Sequence, residues 1–154
     1  MVLAPLTAAD AGELAPLLDD PELHRFIGGE PLTRAALAER YMRLEGGAPE
    51  GSRESWLNWV IRRREDLQAV GTAQATVRGD TASVAWVVGS EWQGRGYASA
   101  AARGLVAWLR GELGLTVVAN IHPDHEASER VAQGAGLRLT ERRVEGERVW
   151  SSEV

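Results

Sequence analysis

Three groups of residues in this chain have types and spacings that could do chemistry. The first is Trp92-Gln93-Gly94-Arg95-Gly96-Tyr97-Ala98-Ser99, two glycines and an arginine lying between the apolar run TASVAWVVG and a stretch where Ala98, Ala102, Leu105, Leu109 and Leu113 recur at helical spacing. That order predicts strand, glycine loop, helix. Glycine permits positive φ and close approach to the backbone, and the first N–H groups of a helix are unpaired and carry partial positive charge. The loop is therefore a predicted seat for an anion. The second group is His125 and Ser128, which at a spacing of three share one face of a short helix. The third is His122, two residues after Asn120 at the end of a predicted strand.

Composition removes many alternatives. The chain has 154 residues and no cysteine, which rules out disulfides, thiolate metal sites and an acyl-cysteine intermediate; no metal site is expected. All 17 basic residues are arginine, so Schiff-base and P-loop lysine chemistry is absent. Gly94, Gly96 and Ser99 do not complete a G-x-G-x-x-G dinucleotide fingerprint. Ser128, His125 and Asp124 lie along one chain segment and do not form a convincing nucleophile relay. The net charge is −5 with scattered arginines, which does not favour nucleic acid; Arg62, Arg63 and Arg64 read as a strand emerging into a solvated turn. The first residues, MVLAPLTAADAGEL, lack a basic region followed by a long apolar run, and no eighteen apolar residues occur together. No membrane association and a cytoplasmic location are the expectation, and 44% apolar residues suffice for one domain spanning 1–154.

The elements that must position these groups follow from periodicity. A short strand (VLAPL) precedes a helix with Thr7 and Asp10 at capping spacing and an apolar stripe of Ala11, Leu14, Ala15 and Leu18. DDPELHRFIGGEP, with two prolines and a glycine pair, reads as a break. Thr33 caps a second helix that buries Leu37, Tyr41 and Leu44. WLNWVIRR, AVGTAQATV and TASVAWVV form an antiparallel meander, the last two joined at Gly79-Asp80. After the glycine-loop helix, ending near Gly114, LTVVANI is a strand beside the third of the meander. Asp124 caps a short helix in which Ala127, Val131 and Ala135 share a face, stopped at Gly136. LRLTERRV and ERVWSS make a last hairpin at Glu145-Gly146. The order β-α-α-β-β-β-α-β-α-β-β predicts an α+β fold, a mixed, mainly antiparallel seven-stranded sheet with helices on both faces.

Gln93 to Ala98, a Gln-x-x-Gly-x-Ala turn, resembles the pyrophosphate-binding signature of the GNAT superfamily of N-acetyltransferases, and the chain is most similar to its RimJ/RimL-like branch. Trp86, Trp92, Gln93, Gly94, Gly96, Tyr97, Ala98 and Ala101 match the pattern W-x-x-x-x-x-W-Q-G-x-G-Y-A-x-x-A. A second segment, Pro123-Asp124-His125-Glu126-Ala127-Ser128-Glu129-Arg130-Val131 followed by Gly136-Leu137, resembles P-D-N-x-A-S-x-R-V-x-x-x-x-G-F. Two departures stand out. His125 replaces the asparagine that bonds the pantetheine arm, a task imidazole can share, and Ala132 replaces the tyrosine that protonates the departing thiolate in many relatives.

The resemblance implies an enzyme that transfers acetyl from acetyl-CoA, its cosubstrate, to a primary amine, either a protein N-terminus or a small molecule. A non-catalytic acyl-CoA-binding sensor or interaction domain is the alternative reading, and assembly is left open between a monomer and a homodimer. By this resemblance the pyrophosphate lies on residues Gly94 to Ser99, and pantetheine runs along backbone groups of Trp86, Val87 and Val88. Arg95 is read both as a phosphate contact and as a solvent-facing side chain, and Tyr97 as packing. Ser128 would donate to the thiolate, with His125 orienting the arm and His122 taking the amine proton. His24, Glu54 and Trp56 are minor candidates for the acceptor side.

Overall fold

The computed structural model describes residues 1–153. Its seven strands are β1 (Val2–Pro5), β2 (Glu54–Arg62), β3 (Ala69–Arg78), β4 (Thr81–Val88), β5 (Thr116–Ile121), β6 (Arg138–Val144) and β7 (Glu147–Ser151). They form one sheet in the order β1-β2-β3-β4-β5-β7-β6. Every pairing is antiparallel except β4 with β5. The expected meander, its turn at Gly79 (φ 62°) and the closing hairpin are all present, with β7 inserted between β5 and β6.

The helices are α1 (Ala11–Leu17), α2 (Pro21–Ile27), α3 (Arg34–Glu45), α4 (Tyr97–Gly111) and α5 (Glu126–Gly134). Alternation along the strands divides the core in two. Ile61, Ala73, Ala75, Val84 and Val117 face α4 and α5, whereas Val60 and Ala69 face α1 and α3 with Leu14, Leu37 and Tyr41. The first layer holds Leu105 and Leu109 of α4 at 2% and 0% exposure, so this helix is fixed to the sheet by apolar burial along one stripe. Leu113 leaves the predicted stripe and is exposed, because α4 ends at Gly111 and the chain turns at Gly114 (φ 63°).

Several expectations need correction. DDPELHRFIGGEP contains a helix, α2: Pro21 takes its first position, the Asp20 carboxylate accepts from the Glu22 N–H (2.9 Å), and Gly28 at φ 82° ends it. The prolines and glycines that read as breakers act as caps, since proline lacks an N–H that would be orphaned there anyway. α5 is entered through His125 rather than Asp124, and no side chain caps it. Its buried face is Ser128 and Ala132, with Ala127 turned to solvent. Its stop at Gly136 stands: Leu137 N–H bonds Ala132 O (3.0 Å) and Gly136 N–H bonds Gln133 O (3.1 Å), the paired bonds of a Schellman end. Arg62 is not solvated; it pairs with Asp10 (2.9 Å) and Glu13 (2.8 Å) and so holds α1 against β2.

Candidate active site

The site begins where the sheet divides. β4 and β5 pair only over Thr81–Ser83 and Thr116–Val118. Beyond that, β4 runs on to Val88 beside β3 while β5 turns to β7, leaving a cleft of about 470 Å³ between them. Gly89 N–H bonds Val70 O (2.8 Å), and hydrogen-bonded pairs alternate along an antiparallel ladder. Hence Val87 turns its peptide groups to β3, whereas Trp86, which lines the cleft, and Val88 turn theirs away from β3. The expectation that Trp86, Val87 and Val88 all offer backbone groups is corrected accordingly. The Val88 carbonyl accepts from Gln93 Nε2 (3.0 Å), so the glutamine of the loop anchors it to the strand and leaves Trp86 free.

A glycine inside β3 makes this geometry possible. A Cβ on Gly71 would overlap the Val87 carbonyl oxygen, so β3 and β4 approach this closely only with hydrogen there. Its mark in the sequence is the lone glycine within AVGTAQATV.

The loop itself has Gly94 at φ 75° and Gly96 at φ 85°, and no atom lies within 4 Å of a Cβ built on either. Gly96 is the N-cap of α4 and supplies no side chain to its first N–H groups; the first intrahelical bond is Ala100 N–H to Gly96 O (3.0 Å). The N–H groups of Tyr97, Ala98 and Ser99 are thus the orphan donors expected of a helix start. Beside them Trp92 is buried between two guanidinium groups, Arg63 at 5.0 Å and Arg95 at 4.9 Å from the ring centre, with Tyr97 edge-on at 6.2 Å. Arg95 therefore lies on an indole face, and Tyr97 packs.

His122, His125 and Ser128 all line the cleft from the β5 side. Ser128 is buried, and its Oγ lies 3.5 Å from His125 Nε2. Burial is the main cause holding the His125 pKa below the usual imidazole value, assisted by His122 and opposed by Glu129, so the ring is neutral at pH 7. His122 Nδ1 accepts from the Asp124 N–H (3.0 Å), which fixes the neutral ring's hydrogen on Nε2. That ring donates in this arrangement and can accept a proton only after releasing Asp124. Asp124 thus serves His122, and no carboxylate hydrogen bond reaches His125 among the described residues. Ala132 is fully buried and does not line the cleft.

On the acceptor side, His24 borders the cleft, but both its nitrogens lie 3.1 Å from backbone carbonyls, those of Leu18 and Gly28. Its ring thus sits between the chain segments that flank α2. Trp56 Nε1 donates to Glu54 (3.3 Å), and neither lines the cleft. Sequence reasoning missed Phe26, Arg40, Asn58, Gln74 and Glu147, which do. Tyr41 also borders it, with its hydroxyl pushed up to about 12 by burial, so it remains protonated. No group of three or more histidine, aspartate or glutamate side chains placed to hold a metal occurs among the described residues.

The cleft thus lies where the sheet splits after a parallel pairing, and the strand that borders it, β4, leads into a glycine-looped helix N-terminus. The family profile described as an acetyltransferase (GNAT) domain matches residues 1–138, so the chain belongs to the GNAT acetyltransferases and is an acetyl-CoA-dependent acyltransferase. No curated protein sequence matches the chain. Solved structures do. A GNAT-family acetyltransferase from Bacillus anthracis superposes with a TM-score of 0.78 at 17% identity, covering 97% of this chain and 92% of that one. The aminoglycoside acetyltransferase AAC(6')-Ib with acetyl-CoA bound gives 0.76 at 18% identity, covering 97% and 90%. A provisionally assigned ribosomal-protein-serine acetyltransferase from Vibrio cholerae gives 0.72 at 17%, covering 97% and 91%. At these identities the likeness is one of fold.

Proposed function

We propose that the chain moves the acetyl group of acetyl-CoA directly onto a primary amine. The observation that carries this reading is the β4/β5 split, with Trp86 lining the cleft and turning its peptide groups away from β3, and with the Gly94–Ser99 loop following the end of β4 at the start of α4. Pyrophosphate sits on the N–H groups of Tyr97, Ala98 and Ser99, with Gly94 and Gly96 giving it access and Gln93 holding the loop to Val88. Pantetheine lies along β4 at Trp86 and Val88, and Arg95 leaves Trp92 to meet a phosphate.

The amine nitrogen attacks the thioester carbon, the carbon–sulfur bond breaks, and the thiolate takes the Ser128 proton. The serine is resupplied through the His125 imidazole beside it. His122 takes the amine proton once its Nδ1 releases the Asp124 N–H. A base that must first release the Asp124 N–H favours an amine already uncharged near neutral pH. Deprotonation costs about 1.36 kcal/mol per pH unit below the pKa, roughly 1.2 kcal/mol for an α-amine at pH 7 against roughly 4.6 for a lysine side chain. An N-terminal α-amine of a peptide or small molecule is therefore the preferred acceptor.

The test is CoA release across a panel of N-terminal peptides, free α-amines and lysine-like amines. Turnover led by α-amines is expected. CoA binding without turnover on any amine would instead support the non-catalytic sensor reading and sink this one.

A further inference from the structure

α2 spans the cleft from one lip to the other. At its start the two oxygens of Asp20 accept separately, from the Glu22 N–H (2.9 Å) and from the Ser90 hydroxyl, and Ser90 sits on the turn that leads into the glycine loop. Farther along, the His24 ring sits between the Leu18 and Gly28 carbonyls. Phe26 then projects to the other lip and stacks on His125, with ring centres 4.1 Å apart and planes 15° from parallel. The same ring meets His122 at 5.4 Å and 57°, and the Arg25 guanidinium lies 5.0 Å from its centre. His125 needs such a support. It stands at φ −91°, ψ 66°, outside the helix it introduces, makes no capping bond, and among the described residues has one side-chain polar partner, Ser128 at a long 3.5 Å.

We propose that Phe26 is a positioning residue for acetyl transfer: from the acceptor-side helix it fixes the plane of the His125 imidazole, so that the ring's edge meets Ser128 and the pantetheine arm. The inference rests on the reading of His125 given above. A face-to-face contact at this distance restrains the ring plane while leaving both nitrogens free in that plane. Because the Asp20 carboxylate ties the start of α2 to Glu22 and Ser90 without help from Phe26, the restraint runs from α2 to the histidine. Phe26 also belongs to the wall an acceptor meets, so one side chain touches both the acceptor side of the cleft and the residue that orients the cosubstrate.

The experiment compares Phe26→Ala, Phe26→Leu and Phe26→Tyr by steady-state kinetics with one proven amine acceptor. The His125 ring resonance is titrated alongside by NMR in the ligand-free protein. The charged and titratable groups around that ring are His122, Asp124 and Glu129 on its own lip and Arg25 across the Phe26 ring. The alanine and leucine variants are expected to raise the acetyl-CoA KM by about three- to tenfold, the range of a lost aromatic pair, with kcat nearly unchanged. Both should move the His125 midpoint up toward the ordinary imidazole value, and tyrosine should restore both readouts. A leucine variant indistinguishable from wild type would show that volume alone matters and overturn the proposal, as would an unmoved His125 midpoint in Phe26→Ala. If His125→Ala leaves the acetyl-CoA KM unchanged, the assignment of that histidine fails and the proposal with it. The ligand-free titration still reports separately whether the stack holds the ring.

Discussion

Gly96 holds φ 85° at the first turn of α4, with empty space where its Cβ would be. Gly96→Ala should add only left-handed strain, about 1–2 kcal/mol, whereas Gly96→Glu places a carboxylate where pyrophosphate is to sit. Calorimetry should find CoA affinity weakened about tenfold or more in the glutamate variant and far less in the alanine one. Equal affinities in wild type and Gly96→Glu would remove the loop from the binding site. Ser128 makes a different prediction: Ser128→Ala should lower kcat about tenfold or more, with CoA affinity similar, as expected of a group that acts only when the thiolate leaves. His125 adds a pH dependence. Its folded pKa is depressed, so the unfolded chain binds the proton more readily and stability falls as pH drops from about 6.5 through the folded value. The acetyl-CoA KM should be flat above the folded His125 midpoint and rise as pH falls through it, and a KM unchanged across the midpoint measured by NMR would count against a neutral His125 in cosubstrate binding. At this scale the glycine loop was legible because positive φ leaves its mark on residue type. The partners of His122 and His24 were not, because backbone groups of Asp124, Leu18 and Gly28 carry no signature in the sequence.

Among the elements, β4 is the one whose placement creates the cleft. It is set on one side by Gly71 and on the other by the short pairing with β5. Gly71→Ala should therefore destabilise by about 1–3 kcal/mol, the usual cost of forcing a methyl group into packed structure, and raise the acetyl-CoA KM as Trp86 is displaced. Chemical denaturation and kinetics measure the two effects, and a variant as stable as wild type would show that β4 yields without cost. α4 was readable because apolar burial at helical spacing writes itself into the sequence, as Leu105 and Leu109 show. α2 was missed for the opposite reason. With seven residues and Leu23 the buried apolar side chain among those described, it has little stripe to read, and its caps look like breakers until Asp20 and Gly28 are seen bounding it.

For the molecule as a whole, direct transfer predicts no acyl-enzyme. Incubated with acetyl-CoA alone, the protein should keep its unmodified mass in mass spectrometry; a stoichiometric acetyl adduct at Ser128 would overturn the direct route. The sequence by itself determined the class of fold, the order of the seven strands along the chain, the position of the glycine loop, and the absence of cysteine and lysine chemistry. These are properties of local periodicity, residue conformational preference and composition, all of which act over a few residues. The tertiary structure alone decided which lips the sheet opens between and which peptide groups face the gap. It also decided that the residues meeting in the cleft come from α2, α3, β2, β3 and β7 as well as from the two motifs. Such facts depend on strand register and on contacts between residues far apart in the chain. Phe26 reaching His125 and Asp20 meeting Ser90 are of this kind: each partner is unremarkable in its own segment, and only the folding of α2 across the divided sheet brings them together.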